Sequence, residues 1–183
     1  MESDAPASFT AVAQAAQQIL QLAFGFIFLV SAADKWLRWE GFKAAVAGYR
    51  LVPAAVAPLG AGAIGILETL VGLGLASGIS RRLSIFGGAL LLSFFALAIA
   101  INLLRGRTNI DCGCSVASRG QQLEWRLVAR NLICAAVLIA TAPATRSGAW
   151  AVALPPALGL CLSYYAVSGV WSSASFQRQL RRI

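Results

Sequence analysis

The sequence predicts an all-α protein, a polytopic bundle of four or five transmembrane helices with one amphipathic helix in the membrane interface. The chain has 183 residues, of which 58% are hydrophobic and 12% are charged, about half the charged fraction of a typical soluble domain. Its apolar residues form runs close to the ~20 residues that an α-helix needs to cross a bilayer. This length is typical of a single domain.

Charge and composition also exclude several classes of function. The net charge of +8 lies in the connections between apolar runs, which favours contact with lipid headgroups over binding of nucleic acid. Histidine is absent, so the commonest general base and metal ligand is missing. Residues 1–16 lack the basic region of a secretory signal peptide and are predicted to be a hydrophilic leader.

The first span is predicted over residues 17–33, and a different pattern follows it over residues 35–50. Aromatic and apolar residues recur there at steps of three or four, with Lys35, Arg38 and Lys43 between them. This pattern predicts a helix in the plane of the interface, with its aromatic face down and its basic residues in water. The alternative is an aromatic belt with a loop at the same depth.

The remaining spans follow the same logic of apolar runs between turn residues. A stripe of small residues at every fourth position of the second span predicts close approach by a neighbouring helix. Pro155 and Pro156 are expected to kink or break the first half of the last span. The bundle is predicted over residues 17–171, with spans at 59–76, 83–104, 126–142 and 149–170, and a basic tail at 172–183.

Five spans would place the first connection, the loop of residues 105–125 and the tail on one face, together with most of the Lys and Arg residues. The positive-inside rule alone predicts that this face is cytoplasmic. The cysteines of the same loop indicate the opposite, because stable disulfides form on the extracytoplasmic side.

The motif most indicative of function is Asp111-Cys112-Gly113-Cys114 in this loop. Two thiols separated by a glycine can close a strained and therefore easily reduced disulfide. Nearby Arg105, Arg107 and Arg119 would favour the attacking thiolate, while Asp111 would oppose it. The alternatives are a static disulfide that constrains little chain, or a metal site, which would need more ligands than two thiolates and one carboxylate. The residues favour redox chemistry, and no metal site is predicted.

Two further cysteines lie within spans. Cys134 and Cys161 are each expected roughly 10–15 Å below the loop face, counting 1.5 Å per residue. If their helices are neighbours, the two thiols could pair and relay electrons from the loop towards a quinone. The alternative is that each is an ordinary small apolar residue of a helix.

Glu68 is an acidic residue near the middle of a predicted span, where a bare carboxylate is costly. Its expected partners are Asn102, Arg130 and Asn131, which lie on other spans. They would form either a polar clamp between helices or a site that handles protons or contacts a cofactor. Arg130 and Asn131, one turn inside the fourth span, are also expected to anchor the cysteine loop.

The sequence resembles the MauE family of methylamine-utilisation membrane proteins, which is related to DoxX-like helical bundles. The resemblance extends over about residues 17–170 and rests on Asp111-Cys112-Gly113-Cys114 after the third span and Arg130-Asn131 in the next. Three further features resemble the family: Lys35 at the end of the first span, the segment Tyr49-Arg50-Leu51-Val52-Pro53 and the pair Leu67-Glu68. One departure is Ser115-Val116, where the family typically continues with Phe-Gly after Cys-Gly-Cys.

The resemblance implies a multi-pass protein of the bacterial plasma membrane with an extracytoplasmic cysteine loop. It implies cooperation with a thioredoxin-like protein in the maturation of a disulfide-containing client, such as an amine dehydrogenase subunit. The leading hypothesis is therefore a membrane thiol–disulfide redox protein. The alternatives are a non-catalytic subunit that anchors or stabilises a redox enzyme complex, and a small transporter or metal-delivery protein.

Overall fold

The computed structural model describes residues 7–108, 110, 122–142 and 150–180, and side chains over 10–108, 110, 122–142 and 153–168. All regular elements in this part of the chain are helical, which confirms the predicted all-α class. The helices are α1 (Ala7–Leu37), α2 (Trp39–Gly48), a short 3-10 helix (Ala54–Val56), α3 (Ala57–Ser77), α4 (Arg81–Leu104), α5 (Trp125–Ala140) and α6 (Trp150–Leu180).

Three segments of the described chain are long and apolar enough to cross a membrane: 10–37 in α1, 54–77 through α3, and 81–104 in α4. This confirms the predicted transmembrane bundle. The α5 helix has 16 residues, about 24 Å at 1.5 Å per residue. In α6 the side chains are described over Ala153–Ser168, and this stretch is apolar. Whether α5 and α6 make the fourth and fifth crossings stays a prediction.

The helices pack in an order that sorts their ends onto two faces. The α1 and α3 helices run antiparallel, because Ser31 contacts Glu68 and Gly25 approaches Ala76. The α4 helix packs on α3 and α5, whereas α6 packs on α1. The end of α1, the start of α3, the end of α4 and the start of α5 therefore meet at one face, here called the loop face, which agrees with the predicted arrangement.

Close approach of α1 and α3 depends on glycine. A Cβ atom on Gly72 would lie 2.8 Å from Leu29 Cγ and 3.1 Å from the backbone oxygen of Gly25. Because Gly25 and Gly72 have no side chain, the backbones of α1 and α3 can approach each other closely, as small residues allow in membrane helices. Ala57, Ala61 and Gly65 of the predicted small-residue stripe are buried, and the ring of Trp36 from α1 lies against Gly65.

The α2 helix corresponds to the predicted interfacial segment but is shorter, and its apolar face packs on the protein. Phe42 and Tyr49 are buried, and Trp39 and Val46 lie next to Gly62 and Gly60 of α3. Residues 35–37 belong to α1 instead. The aromatic residues therefore attach α2 to the bundle.

Two helices extend past the predicted spans. The α1 helix begins at Ala7, ten residues before the predicted start of the first span at residue 17. The α6 helix continues through Pro155 and Pro156 to Leu180, so the prolines do not break it, and the alternative of a kink stays a prediction. Ala153 and Ala157 are buried against α1, and packing of this kind lets membrane helices tolerate the backbone groups that proline leaves unpaired.

Candidate functional site

Cys112, Cys114 and Asp111, the predicted redox motif, lie outside the described residues. The structure does describe the chain on both sides of them. The backbone N–H of Leu123 donates to the carbonyl oxygen of Thr108 at 3.0 Å, and Leu123 is 2% exposed. The two ends of the cysteine loop therefore meet at one point on the loop face.

A second attachment is made by Arg107, just before this point. Its Nη2 donates to the carbonyl oxygen of Gly48 at 3.2 Å, and Nη1 is 3.5 Å from that of Tyr49. These carbonyls end α2, where backbone oxygens lack partners within the helix and carry partial negative charge. Asn102 supports the arginine, because its Oδ1 accepts from Nη1 at 3.4 Å.

Asn102 bonds to residues other than its predicted partner Glu68. It is buried, its Nδ2 donates to the carbonyl oxygen of Ala98 in the same helix, and its Oδ1 accepts from Arg107. No local pattern predicts the contact of Arg107 with α2, since 59 positions separate Arg107 from Gly48. Whether the charge of Arg107 also favours a thiolate in the loop stays a prediction.

Glu68 forms a buried ion pair with Lys35. Lys35 Nζ lies 2.8 Å from Glu68 Oε2 and 3.0 Å from Oε1, and the side chains are 3% and 1% exposed. Nζ also donates to Ser31 Oγ at 2.7 Å, and the rings of Phe42 and Phe95 lie 5.3 and 5.8 Å from it. We call Ser31, Lys35 and Glu68 the ion-pair cluster.

This finding corrects two expectations. Lys35 does not lie in water beside α2, and the partner of Glu68 is neither Asn102 nor Arg130 nor Asn131. Lys35 is one turn after Ser31 on α1, so both side chains face α3. The sequence did carry a signal, a serine and a lysine at i and i+4 ending an apolar run. The signal was missed because a lysine at the end of a span usually reaches towards water.

Arg130 and Asn131 nevertheless share a small cavity with the ion-pair cluster. This inner cavity, of about 40 Å³, is lined by Ser31 and Glu68 on one side and by Arg130, Asn131, Cys134 and Tyr164 on the other. The Nε atom of Arg130 and the Nδ2 atom of Asn131 are buried and have no hydrogen-bond partner in the described part of the chain. Asn131 is only 4% exposed.

The guanidinium of Arg130 lies over the ring of Tyr164, 6.0 Å from its centroid. Within the described residues no ion pair of Arg130 is found, and the contacts that fix the ends of the cysteine loop come from Arg107 and Leu123. Most of the cysteine loop lies outside the described residues, so the anchoring of this loop by Arg130 stays a prediction.

A larger groove opens from the inner cavity between α5 and α6. Its volume is about 690 Å³, and it shares Arg130, Cys134 and Tyr164 with the cavity. Towards the loop face it is lined by polar side chains, including Gln122 and Arg126, and deeper by apolar ones, including Ile133 and Leu160. We call it the α5–α6 groove.

The two membrane cysteines are free thiols that lie on different surfaces. Cys134 of α5 lines both the groove and the inner cavity. Cys161 is buried and continues the stripe of Ala153 and Ala157 that packs on α1. The predicted pair is not formed in this structure, and the electron relay stays a prediction.

Comparison with known proteins matches residues 13–144 to the family model described as methylamine utilisation protein MauE. The match ends before α6, earlier than the predicted limit near residue 170. No solved structure matches the chain significantly.

Individual relatives agree with the family model. The chain is 35% identical over 123 residues to methylamine utilization protein MauE of Paracoccus denitrificans, covering 67% of this chain and 66% of that protein. It is 38% identical over 138 residues to MauE of Methylorubrum extorquens, covering 75% and 70%. The chain thus spans about two thirds of the length of the curated relatives it matches. With the family model matched over most of its length, the chain belongs to the MauE family.

Proposed function

We propose that this protein is a membrane component of methylamine utilisation that carries out thiol–disulfide exchange at Cys112 and Cys114. The observation that carries this proposal is that both ends of the cysteine loop are held by hydrogen bonds. The Leu123–Thr108 hydrogen bond and the contacts of Arg107 hold the two ends of the loop that contains Cys112 and Cys114 at the loop face. The process is taken from the name of the MauE relatives, methylamine utilization protein.

The exchange would proceed through a mixed disulfide with a thioredoxin-like protein. One cysteine thiolate attacks the partner's disulfide, forming an intermolecular S–S bond and releasing one partner thiolate. The second cysteine then attacks the first, which closes the Cys112–Cys114 disulfide and releases the partner as a dithiol. Two thiols are oxidised and one disulfide is reduced, and the reverse sequence would oxidise the partner.

An extracytoplasmic loop face is part of the proposal, and the contacts of two basic residues support it. Lys35 is neutralised by Glu68 inside the bundle, and Arg107 is bound to the end of α2. The positive-inside rule concerns charges in the loops that flank spans. Lys35 therefore does not count among the basic loop residues that favour a cytoplasmic loop face. Arg107 is explained by its contact with α2.

The test is to trap the mixed disulfide. In cells that express the full chain, Cys114→Ala should prevent resolution and leave Cys112 linked to a partner, visible as a reducible adduct on a non-reducing gel. Cys134→Ala is the matched control and should give no adduct. Failure of Cys112 and Cys114 to change redox state in any thiol–disulfide buffer would contradict the proposal.

The alternative of a non-catalytic membrane subunit has its own outcome. If Cys112→Ser with Cys114→Ser still supports accumulation of the client, the cysteines are not needed and the protein acts by docking.

The side of the membrane on which the loop lies is tested by labelling. A membrane-impermeant maleimide in intact cells should modify reduced Cys112. Labelling only after lysis would contradict an extracytoplasmic loop.

A further inference from the structure

We propose that the α5–α6 groove and the inner cavity form a binding site for a lipid-tailed quinone. The ring would enter the space between Arg130, Asn131 and Tyr164, and the isoprenoid tail would run along the apolar part of the groove. Binding is inferred from the described residues alone. Its use as an electron acceptor rests on the proposed function.

The first argument comes from the donors. The Nδ2 group of Asn131 is deeply buried and has no partner in the described chain, and Nε of Arg130 is in the same state. Buried donors without acceptors are rare, because each loses its hydrogen bonds to water. Both residues line the inner cavity, where a molecule with carbonyl oxygens would supply the missing acceptors.

The second argument concerns the shape of the head. The rings of Phe24, Phe28, Phe95 and Tyr164 also line the inner cavity, and a flat ring can lie against aromatic side chains at favourable geometry. The Glu68 carboxylate on the same cavity is paired with Lys35, which leaves Arg130 and Asn131 as the donors for the head. The lining therefore favours a flat head that accepts hydrogen bonds, and the lipid competition below separates it from an anionic headgroup.

The third argument is the distribution of polarity along the groove. Mostly apolar walls with a few placed polar groups are typical of cofactor sites, which usually measure about 300–1,000 Å³. The volume of about 690 Å³ falls in this range. The lining becomes apolar away from the loop face, so a tail can follow Ile133 and Leu160 while the head stays at Arg130.

In the context of the proposed exchange, the quinone would be the final oxidant. Oxidation of the Cys112–Cys114 dithiol to a disulfide releases two electrons and two protons, and reduction of a quinone to its quinol takes up both. The reaction balances without a further reagent. It would let the protein oxidise a partner repeatedly.

Binding can be measured with the full chain in nanodiscs of zwitterionic lipid, using decylubiquinone and the quenching of tryptophan fluorescence. Wild-type protein should bind saturably. Ser163→Phe, which fills the groove from its exposed wall, should abolish binding. The matched control is Leu162→Phe on the same helix, whose side chain is 70% exposed and lines neither the groove nor the inner cavity, and it should bind like wild type. Arg130→Gln should weaken binding about tenfold through loss of a charged hydrogen bond.

Equal binding by Ser163→Phe and Leu162→Phe would overturn the site. So would displacement of decylubiquinone by low concentrations of phosphatidylglycerol, which would identify the groove as an anionic lipid site. The variant with Cys112→Ser and Cys114→Ser should bind decylubiquinone normally. The two proposals can therefore fail separately. If Cys114→Ala gives no mixed disulfide but the protein binds decylubiquinone, the thiol chemistry is wrong. If the mixed disulfide forms but decylubiquinone does not bind, the quinone site is wrong.

Discussion

Two polar groups of residues face each other across the inner cavity and differ in how their hydrogen-bonding capacity is met. In the ion-pair cluster, Lys35 reaches both oxygens of Glu68 and the hydroxyl of Ser31. Across the cavity, Arg130 and Asn131 each keep a buried donor without a partner in the described chain. Glu68 Oε2 has no hydrogen-bond partner besides this ion pair in the described chain, but each charge of the cluster has its counter-charge within the protein. The donors of Arg130 and Asn131 have neither, which is the form of a site that a ligand completes.

The largest effect is expected from breaking the ion pair. Glu68→Leu leaves the Lys35 ammonium buried without its counter-charge, and such losses typically destabilise a fold by about 3–5 kcal/mol. Thermal unfolding of the detergent-purified protein should show a large drop in the midpoint. Adding Lys35→Met to this variant should recover most of the loss. If the double variant is no more stable than Glu68→Leu, the unpaired charge of Lys35 is not the cause of the lost stability.

A smaller effect should follow from crowding the α1–α3 contact beside the ion-pair cluster. Gly72→Val places methyl groups against Leu29 and the backbone of Gly25, and overpacking of this kind costs about 1–3 kcal/mol. Gly159→Val, on open space in α6, is the matched control and should unfold at the wild-type midpoint. Equal behaviour of the two variants would contradict a close helix contact at Gly72.

Arg107→Gln tests the attachment of the cysteine loop. Removing the guanidinium from the end of α2 should cost about 1–2 kcal/mol of stability, because charged hydrogen bonds and a helix dipole contact are lost. The specific readout is the rate at which an impermeant maleimide modifies reduced Cys112, which should change, while a merely structural loss would leave it unaltered. Arg38→Gln, which removes an exposed arginine paired with Asp34, should leave both measurements unchanged.

The smallest effect is expected on the other side of the cavity. Asn131→Leu removes a donor that has no partner in the described chain, so without ligand the free energy of unfolding should change by less than about 1 kcal/mol. The contrast with Glu68→Leu is the sharpest test of the comparison. A loss at Asn131 as large as at Glu68 would mean that the two groups of residues are equally structural.

The sequence predicted the helical class, the spans and the importance of Glu68, because apolar run length and a carboxylate inside a span are local signals. It did not predict the partner of Glu68. Lys35 lies 33 positions away, and at the end of a span a lysine is more often in water. The α5–α6 groove was also missed, since it arises from α6 packing on α1 instead of on α5. Which helices become neighbours is a property of the whole bundle.

The hydrogen bond between Thr108 and Leu123 has a practical consequence. A segment whose two ends are already joined can be lengthened at little entropic cost, because the closure penalty grows only with the logarithm of its length. The stretch between these residues should therefore be exchangeable as a cassette. Replacing this stretch with the corresponding one of another MauE protein would test whether the loop or the helices determine which client is bound.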